Sequence, residues 1–365
     1  EGAEDQSLTS QELSGGCPIV FKAVVCNLRG DHTFSSGFGA SYVKTYPGVT
    51  FIMEWENAKL SEADRAEAML RCVSGQIADL DGSFDGRPEI LILHDPEAIA
   101  TDTLRQFVTS GWNADAEVDL RIEAARGLEY YEQKNLGATL ATRPWLCFID
   151  SDVIPEDGWL ETLLEARRTS NAVIVGGQTY VEPLTLTDRA FALFWFFPPR
   201  SSATEPYESD RFFANNFMIE RETFLRSPFP DSELVRGRCY VLADQYRRAG
   251  ERIEICPAAR VSHPPPNGIS HFLKRAVIDG HDSWVMDRTL MTDRDKRPSL
   301  FPLRAAKWNV SNAFASINEG AEHMELGFAG RLFAKALATV YYGLAMLGQI
   351  MSPLAPSFVR RAFNV

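Results

Sequence analysis

Along the first half of the chain, short apolar runs alternate with longer stretches in which apolar residues recur at helical spacing. Val49–Trp55, Glu89–His94 and Trp145–Ile149 are compact runs of strand length. Helical spacing covers 61–75, 102–110, 124–142 and 157–169, the first opened by Ser61 with Asp64 three positions on. Residues 117–122 and 172–176 read as further strands. Strands alternating with helices predict an α/β fold: a mostly parallel central sheet with helices on both faces.

The second half is less regular. Residues 180–212 mix prolines with aromatics and read as loop with a short helix near 187–196. A strand over 212–219 and a short helix from Arg221 follow. Then come a helix over 242–249 closed by Gly250, strands over 252–256 and 259–263, and a helix carrying basic residues through 269–290. Leu332–Met351 is strongly apolar but is broken by Lys335 and Gln349. Its uninterrupted part falls short of the roughly 20 residues of a spanning helix. It suits a core or homodimer-interface helix, or one lying in a membrane interface beside Arg331, Lys335, Arg360 and Arg361; a span is the remaining alternative. If the helix is peripheral, a chain shortened to Gly327 should stay folded.

The net charge of −12 argues against a nucleic-acid partner. Six scattered cysteines without Cys-x-x-Cys spacing read as reduced, cytoplasmic thiols rather than a disulfide frame or zinc site. Residues 1–16 are polar and acidic, and read as a disordered leader, not a signal peptide.

The most informative stretch is 146–159, Leu-Cys-Phe-Ile-Asp-Ser-Asp-Val-Ile-Pro-Glu-Asp-Gly-Trp. An apolar strand stops at two carboxylates, Asp150 and Asp152, whose i, i+2 spacing would place them on one face. At the carboxyl end of a strand in an open α/β sheet, that face looks into the crevice where ligands bind. Hard oxygen ligands there suit Mn²⁺ or Mg²⁺ completed by substrate phosphates. The bland alternative is a turn.

With these runs stand Glu54-Trp55-Glu56-Asn57, Asp95, Lys134-Asn135-x-Gly137, Ala214-Asn215-Asn216 and a tail from Gly250 through Pro257 and Ala259 to His263. In this order, over roughly 49–265, the chain resembles a family 2 glycosyltransferase of GT-A fold. The resemblance implies a Rossmann-like domain over 17–268 with a C-terminal helical region over 269–365. It implies a metal-dependent transferase, inverting in stereochemistry, that moves a sugar from a nucleotide-diphosphate donor, a UDP-sugar by preference, to a glycan or lipid-linked acceptor. Such an enzyme would work at the cytoplasmic face of a membrane, in polysaccharide biosynthesis. On this resemblance Asp150, Asp152 and His263 would hold the metal, and Glu54, Glu56, Asp95, Lys134, Asp150, Asn215, Asn216 and Arg238 would contact the donor. The bland alternatives are solvated strand ends and, for His263, a loop histidine facing water.

One departure stands out. The family places an acidic pair, including the general base, about a dozen residues before the glycine that closes the acceptor-side helix. Here those positions are Arg238 and Cys239. Asp231 and Glu233 precede them and are the candidate replacements. A Cys239 thiolate activated by Arg236 and Arg238 is a further candidate, against the plainer reading of a half-buried thiol. The missing base also leaves open a GT-A-fold protein that binds nucleotide or glycan without transferring it. A nucleotidyltransferase fits less well, because the first strand ends in Glu-Trp-Glu-Asn and not in a Gly-rich basic loop.

Overall fold

The computed structural model describes residues 45–57, 63–290 and 301–363. The leader, Cys17, Cys26 and the Ser61 cap lie outside them. In chain order the first half comprises β1 (Val49–Glu54), α1 (Ala63–Asp79), β2 (Glu89–His94), α2 (Thr101–Gly111), β3 (Asp119–Ala124), α3 (Tyr130–Leu140), β4 (Trp145–Ile149), β5 (Ile154–Pro155) and α4 (Trp159–Thr169). The second half continues with β6 (Ile174–Val181), α5 (Leu186–Ala192), β7 (Tyr207–Glu208), β8 (Asn216–Glu220), α6 (Arg221–Arg226), α7 (Arg238–Arg248) and β9 (Ile253–His263). It closes with α8 (Gly268–Leu290), α9 (Phe301–Gly320), α10 (Phe328–Met351) and α11 (Pro356–Phe363).

The strands form one sheet in the order β3-β2-β1-β4-β8-β6-β9-β5, with β7 pairing β9. β1, β2, β3 and β4 are parallel neighbours, as predicted. Beyond β4 the sheet is mixed: β8 runs antiparallel to both β4 and β6. Every residue of β1, β2 and β4 is buried, because helices cover both faces. Alternate strand residues feed two cores: Phe51, Ile90 and Cys147 pack toward α1 and α4, Ile52, Leu91 and Phe148 toward α3 and α7.

Two expected boundaries move for physical reasons. The helix expected from residue 124 begins at Tyr130, where Glu129 and Glu132 close a capping box. The two strands expected over 252–263 are one, β9, continuous past Pro257. The ladder passes from Gly177–Cys256 to Gln178–Arg260, so the proline, which cannot donate, sits in a bulge.

The C-terminal helices build a third core with Phe191, Phe194 and Trp195 from the α5 region and Ala334, Ala338 and Tyr341 of α10. α10 lies tightly on α8. A Cβ added at Gly280 would stand 1.9 Å from the Ala345 carbonyl oxygen, and one at Gly348 would stand 2.1 Å from that of Val277. The inner face of the apolar segment is therefore core, and removing it at Gly327 would uncover α8; the expectation of a folded shortened chain is reversed. Its outer face, with Leu332, Val340, Leu347 and Ile350, stays exposed. Among the described residues no helix is long and apolar enough to cross a membrane. Gly280→Ala should lower stability by about 1–3 kcal/mol, because backbone, not a flexible side chain, must yield. Thermal unfolding checks this; an unchanged midpoint would mean the two helices are not held in contact.

Candidate active site

The site lies where the carboxyl ends of β1 and β4 meet the start of α3. β4 ends at Ile149, and Asp150-Ser151-Asp152 form a turn, so strand alternation does not carry into the acidic pair. The two carboxylates have different surroundings. Asp150 is saturated. Its oxygens accept from Lys134 Nζ at 2.6 Å, from Tyr130 Oη at 2.8 and 3.0 Å, and from Asn57 Nδ2 at 3.1 Å. Lys134, fully buried, is thereby turned into the fold as Asp150's counter-charge and away from any exposed phosphate position. Tyr130 and Lys134 reach Asp150 together because they stand four apart on α3.

Asp152 is the available carboxylate. It is buried, its Oδ1 has no hydrogen-bond partner, and its Oδ2 lies 3.8 Å from His263 Nε2. Burial pushes its carboxyl up, opposed by Arg65 and Arg236. His263 Nδ1 lies 2.6 Å from the Pro264 carbonyl oxygen. A carbonyl only accepts, so Nδ1 carries the proton and Nε2 turns its lone pair toward Asp152. Burial also drives the imidazole down to about 3, so the ring is neutral at physiological pH. A buried carboxylate with one oxygen orphaned and the other facing an unprotonated ring nitrogen offers donors that suit a divalent ion. Among the described residues no group of three or more His, Cys, Asp or Glu could hold a metal, so further ligands would come from phosphate oxygens and water.

Glu54 is wholly buried. Its Oε2 accepts from the Glu56 and Asn57 amides at 2.8 and 3.2 Å, and Oε1 has no partner. Burial, then the Asp150 charge, pushes its carboxyl well up, against Lys134. Glu56 lines a recess with Glu129, Tyr130, Val235 and Arg236. Asp95 closes a turn at the end of β2 by accepting from the Glu97 amide at 3.0 Å.

Three expected donor contacts are engaged inside the fold. Asn216 accepts from Trp159 Nε1 at 2.9 Å and donates to the Gln178 and Ala259 carbonyls, joining α4, β6 and β9. Asn215 accepts from Thr179 at 2.9 Å. Arg238, 2% exposed, donates to the Leu234 carbonyl at 3.1 Å and to Glu129 at 3.2 Å, which leaves little of it for a phosphate. Asp231 and Glu233 are exposed on the loop before α7, and in Glu233 it is the main-chain carbonyl that meets His281. Cys239 is buried and burial pushes its thiol up, opposite to the activation two arginines would give.

Sequence reasoning missed Arg65. It donates to the Asp152 carbonyl at 2.5 Å, to Glu182 and to Ser262, tying the acidic turn to β6 and β9. Arg236 donates to Asn57 at 3.2 Å and stacks over Tyr130, while Asp282 of α8 accepts the Val235 and Arg236 amides at 2.8 and 2.6 Å. No local pattern marks these contacts.

Residues 117–227 match the family model described as Glycosyl transferase family 2. Over those residues the chain is similar to family 2 glycosyltransferases. A Drosophila melanogaster protein named as polypeptide N-acetylgalactosaminyltransferase 13 is 29% identical over 162 residues, 40% of this chain. The chain spans 29% of that relative's length. The fold is that of the Pyrobaculum calidifontis mannosyltransferase solved with GDP-Man and Mn²⁺, with a TM-score of 0.53 at 14% identity over 84% of this chain and 88% of that one. The fold is thus of GT-A type, and α9–α11 extend it.

Proposed function

We propose that this glycosyltransferase is a metal-dependent, inverting enzyme that moves a sugar from a nucleotide-diphosphate donor to a glycan or lipid-linked acceptor. One observation carries the reading. Asp152, at the carboxyl end of the parallel sheet, has an orphaned buried oxygen, Oδ1, while its Oδ2 faces the unprotonated Nε2 of His263. A divalent ion held there, Mn²⁺ or Mg²⁺, would supply positive charge against the leaving diphosphate. The fold relative bound to GDP-Man and Mn²⁺ supports the same reading. Asp150 holds Tyr130 and Lys134, Arg65 fixes the acidic turn, and Arg236 lies over Tyr130 at the recess. Glu54, Glu56 and Asp95, at the ends of β1 and β2, would meet the base and ribose of a UDP-sugar. A panel of UDP- and GDP-sugars, followed by thermal shift and hydrolysis with and without Mn²⁺, tests this. A chain that shifts with a donor and hydrolyses none would point to the non-transferring alternative, and one that answers to none would remove the nucleotide sugar from the account.

The acceptor side favours a membrane. Residues 326–363 carry Arg331, Lys335 and Arg361, besides Arg360 paired with Glu129, and no acidic residue, in a chain of net charge −12. Leu332, Val340, Leu347, Ile350 and Phe358 are exposed on these helices, and Leu354 on the turn between α10 and α11. Such a surface fits the cytoplasmic face of an anionic bilayer, each basic residue near it contributing about 1 kcal/mol. The intact chain should sediment with anionic vesicles and be released by salt. Equal sedimentation with neutral vesicles, or none with either, would remove the membrane from the account.

A further inference from the structure

We propose that Glu129, at the N-cap of α3, is the general base that α7 lacks; this rests on the glycosyltransferase reading above. The N-terminus of α7 cannot supply a base, since Arg238 and Cys239 stand there, 2% and 4% exposed. Arg238 reaches out from that helix and meets Glu129 at 3.2 Å. The negative charge missing from α7 thus stands opposite it, supplied from α3.

Glu129 also has the access and fixity that a base needs. Its side chain is 38% exposed and lines the recess with Glu56, Tyr130 and Arg236. Arg360 of α11 grips both its oxygens at 2.9 and 3.1 Å, and the capping box anchors it to the first turn of α3. The other carboxylates are worse placed. Asp150 and Glu54 are buried, 2% and 0% exposed, whereas Asp231 and Glu233 face solvent on the loop before α7. Arg238 and Arg360 hold its carboxylate in place. A carboxylate suffices as the base when the proton moves late, because the acceptor hydroxyl grows acidic as its oxygen bonds to the sugar.

In the step, the acceptor oxygen forms a bond to the anomeric carbon while the bond from that carbon to the phosphate oxygen breaks. The breaking bond's electron pair leaves with the nucleoside diphosphate. The hydroxyl proton passes to a Glu129 oxygen and is returned to water after the product departs.

Water can stand in for the acceptor, so the test uses hydrolysis of UDP- and GDP-hexoses by the intact chain with Mn²⁺, alongside binding of the free diphosphates. Glu129→Gln should lose about 10²-fold or more in hydrolysis. Its diphosphate affinity should stay within about threefold of wild type. Formate should restore part of the activity of Glu129→Ala, and Asp231→Asn and Glu233→Gln should hydrolyse like wild type. Undiminished hydrolysis by Glu129→Gln, a matching loss of diphosphate affinity, or a crippled loop variant would each overturn the proposal. So would a wild-type chain that binds diphosphate and hydrolyses no donor. A wild-type chain that binds no diphosphate would instead sink the glycosyltransferase reading itself.

Discussion

Asp152→Asn is expected to lower Mn²⁺-dependent turnover of the nucleotide sugar by about 10²-fold or more, the scale seen when one fixed stabiliser of transition-state charge is removed. The substitution keeps the shape and volume of the side chain and removes its charge. In the folded protein Asp152 is buried, with one oxygen unpartnered and the other near a neutral imidazole. Neither serves the fold as Asp150 does, so the variant should fold normally. Because burial already pushes the carboxyl up, loss of its charge should not harm stability and would tend to raise it toward neutral pH. The measurement is donor hydrolysis with Mn²⁺, paired with thermal unfolding. Full activity in a folded variant would remove Asp152 from the site.

Lys134→Met should act in the opposite way, through stability first. The ammonium is fully buried, 2.6 Å from Asp150, and lies over the Tyr130 ring. Removing it leaves Asp150 a buried charge held only by Tyr130 and Asn57. Breaking a buried pair from one side costs about 3–5 kcal/mol. Denaturant unfolding should show a loss of that size, with donor binding falling as the acidic turn loosens. A variant as stable as wild type would mean the ion pair does not hold the turn.

What the sequence disclosed divides along physical lines. Trp145–Ile149 and Glu89–His94 were legible to the residue, because a strand buried on both faces is a compact apolar run, interrupted in the second only at its ends. The acidic pair was legible as chemistry, since carboxylates directly after such a strand stand out. Its division of labour was not. Whether Asp150 or Asp152 faces a metal depends on Lys134 and Tyr130, which arrive from α3, and on His263 from the end of β9. Arg65 and Arg236 look like ordinary surface cations, on α1 and in a loop, and are recruited only by tertiary contact. The sheet's mixed half was hidden for a related reason. Periodicity tells a strand from a helix but carries no direction, so β8 running antiparallel between β4 and β6 had no sequence signal. Leu332–Met351 was ambiguous because both its faces are apolar, one packed against α8 and one exposed.

The central claim, that Asp152 and His263 hold an ion which binds the donor diphosphate, is tested most directly by calorimetric titration of UDP and GDP into the intact protein with and without Mn²⁺. The account predicts that Mn²⁺ tightens binding of the preferred diphosphate in the wild type, and that this gain disappears in Asp152→Asn and shrinks in His263→Ala. Equal affinity with and without the metal, or an undiminished gain in Asp152→Asn, would contradict it.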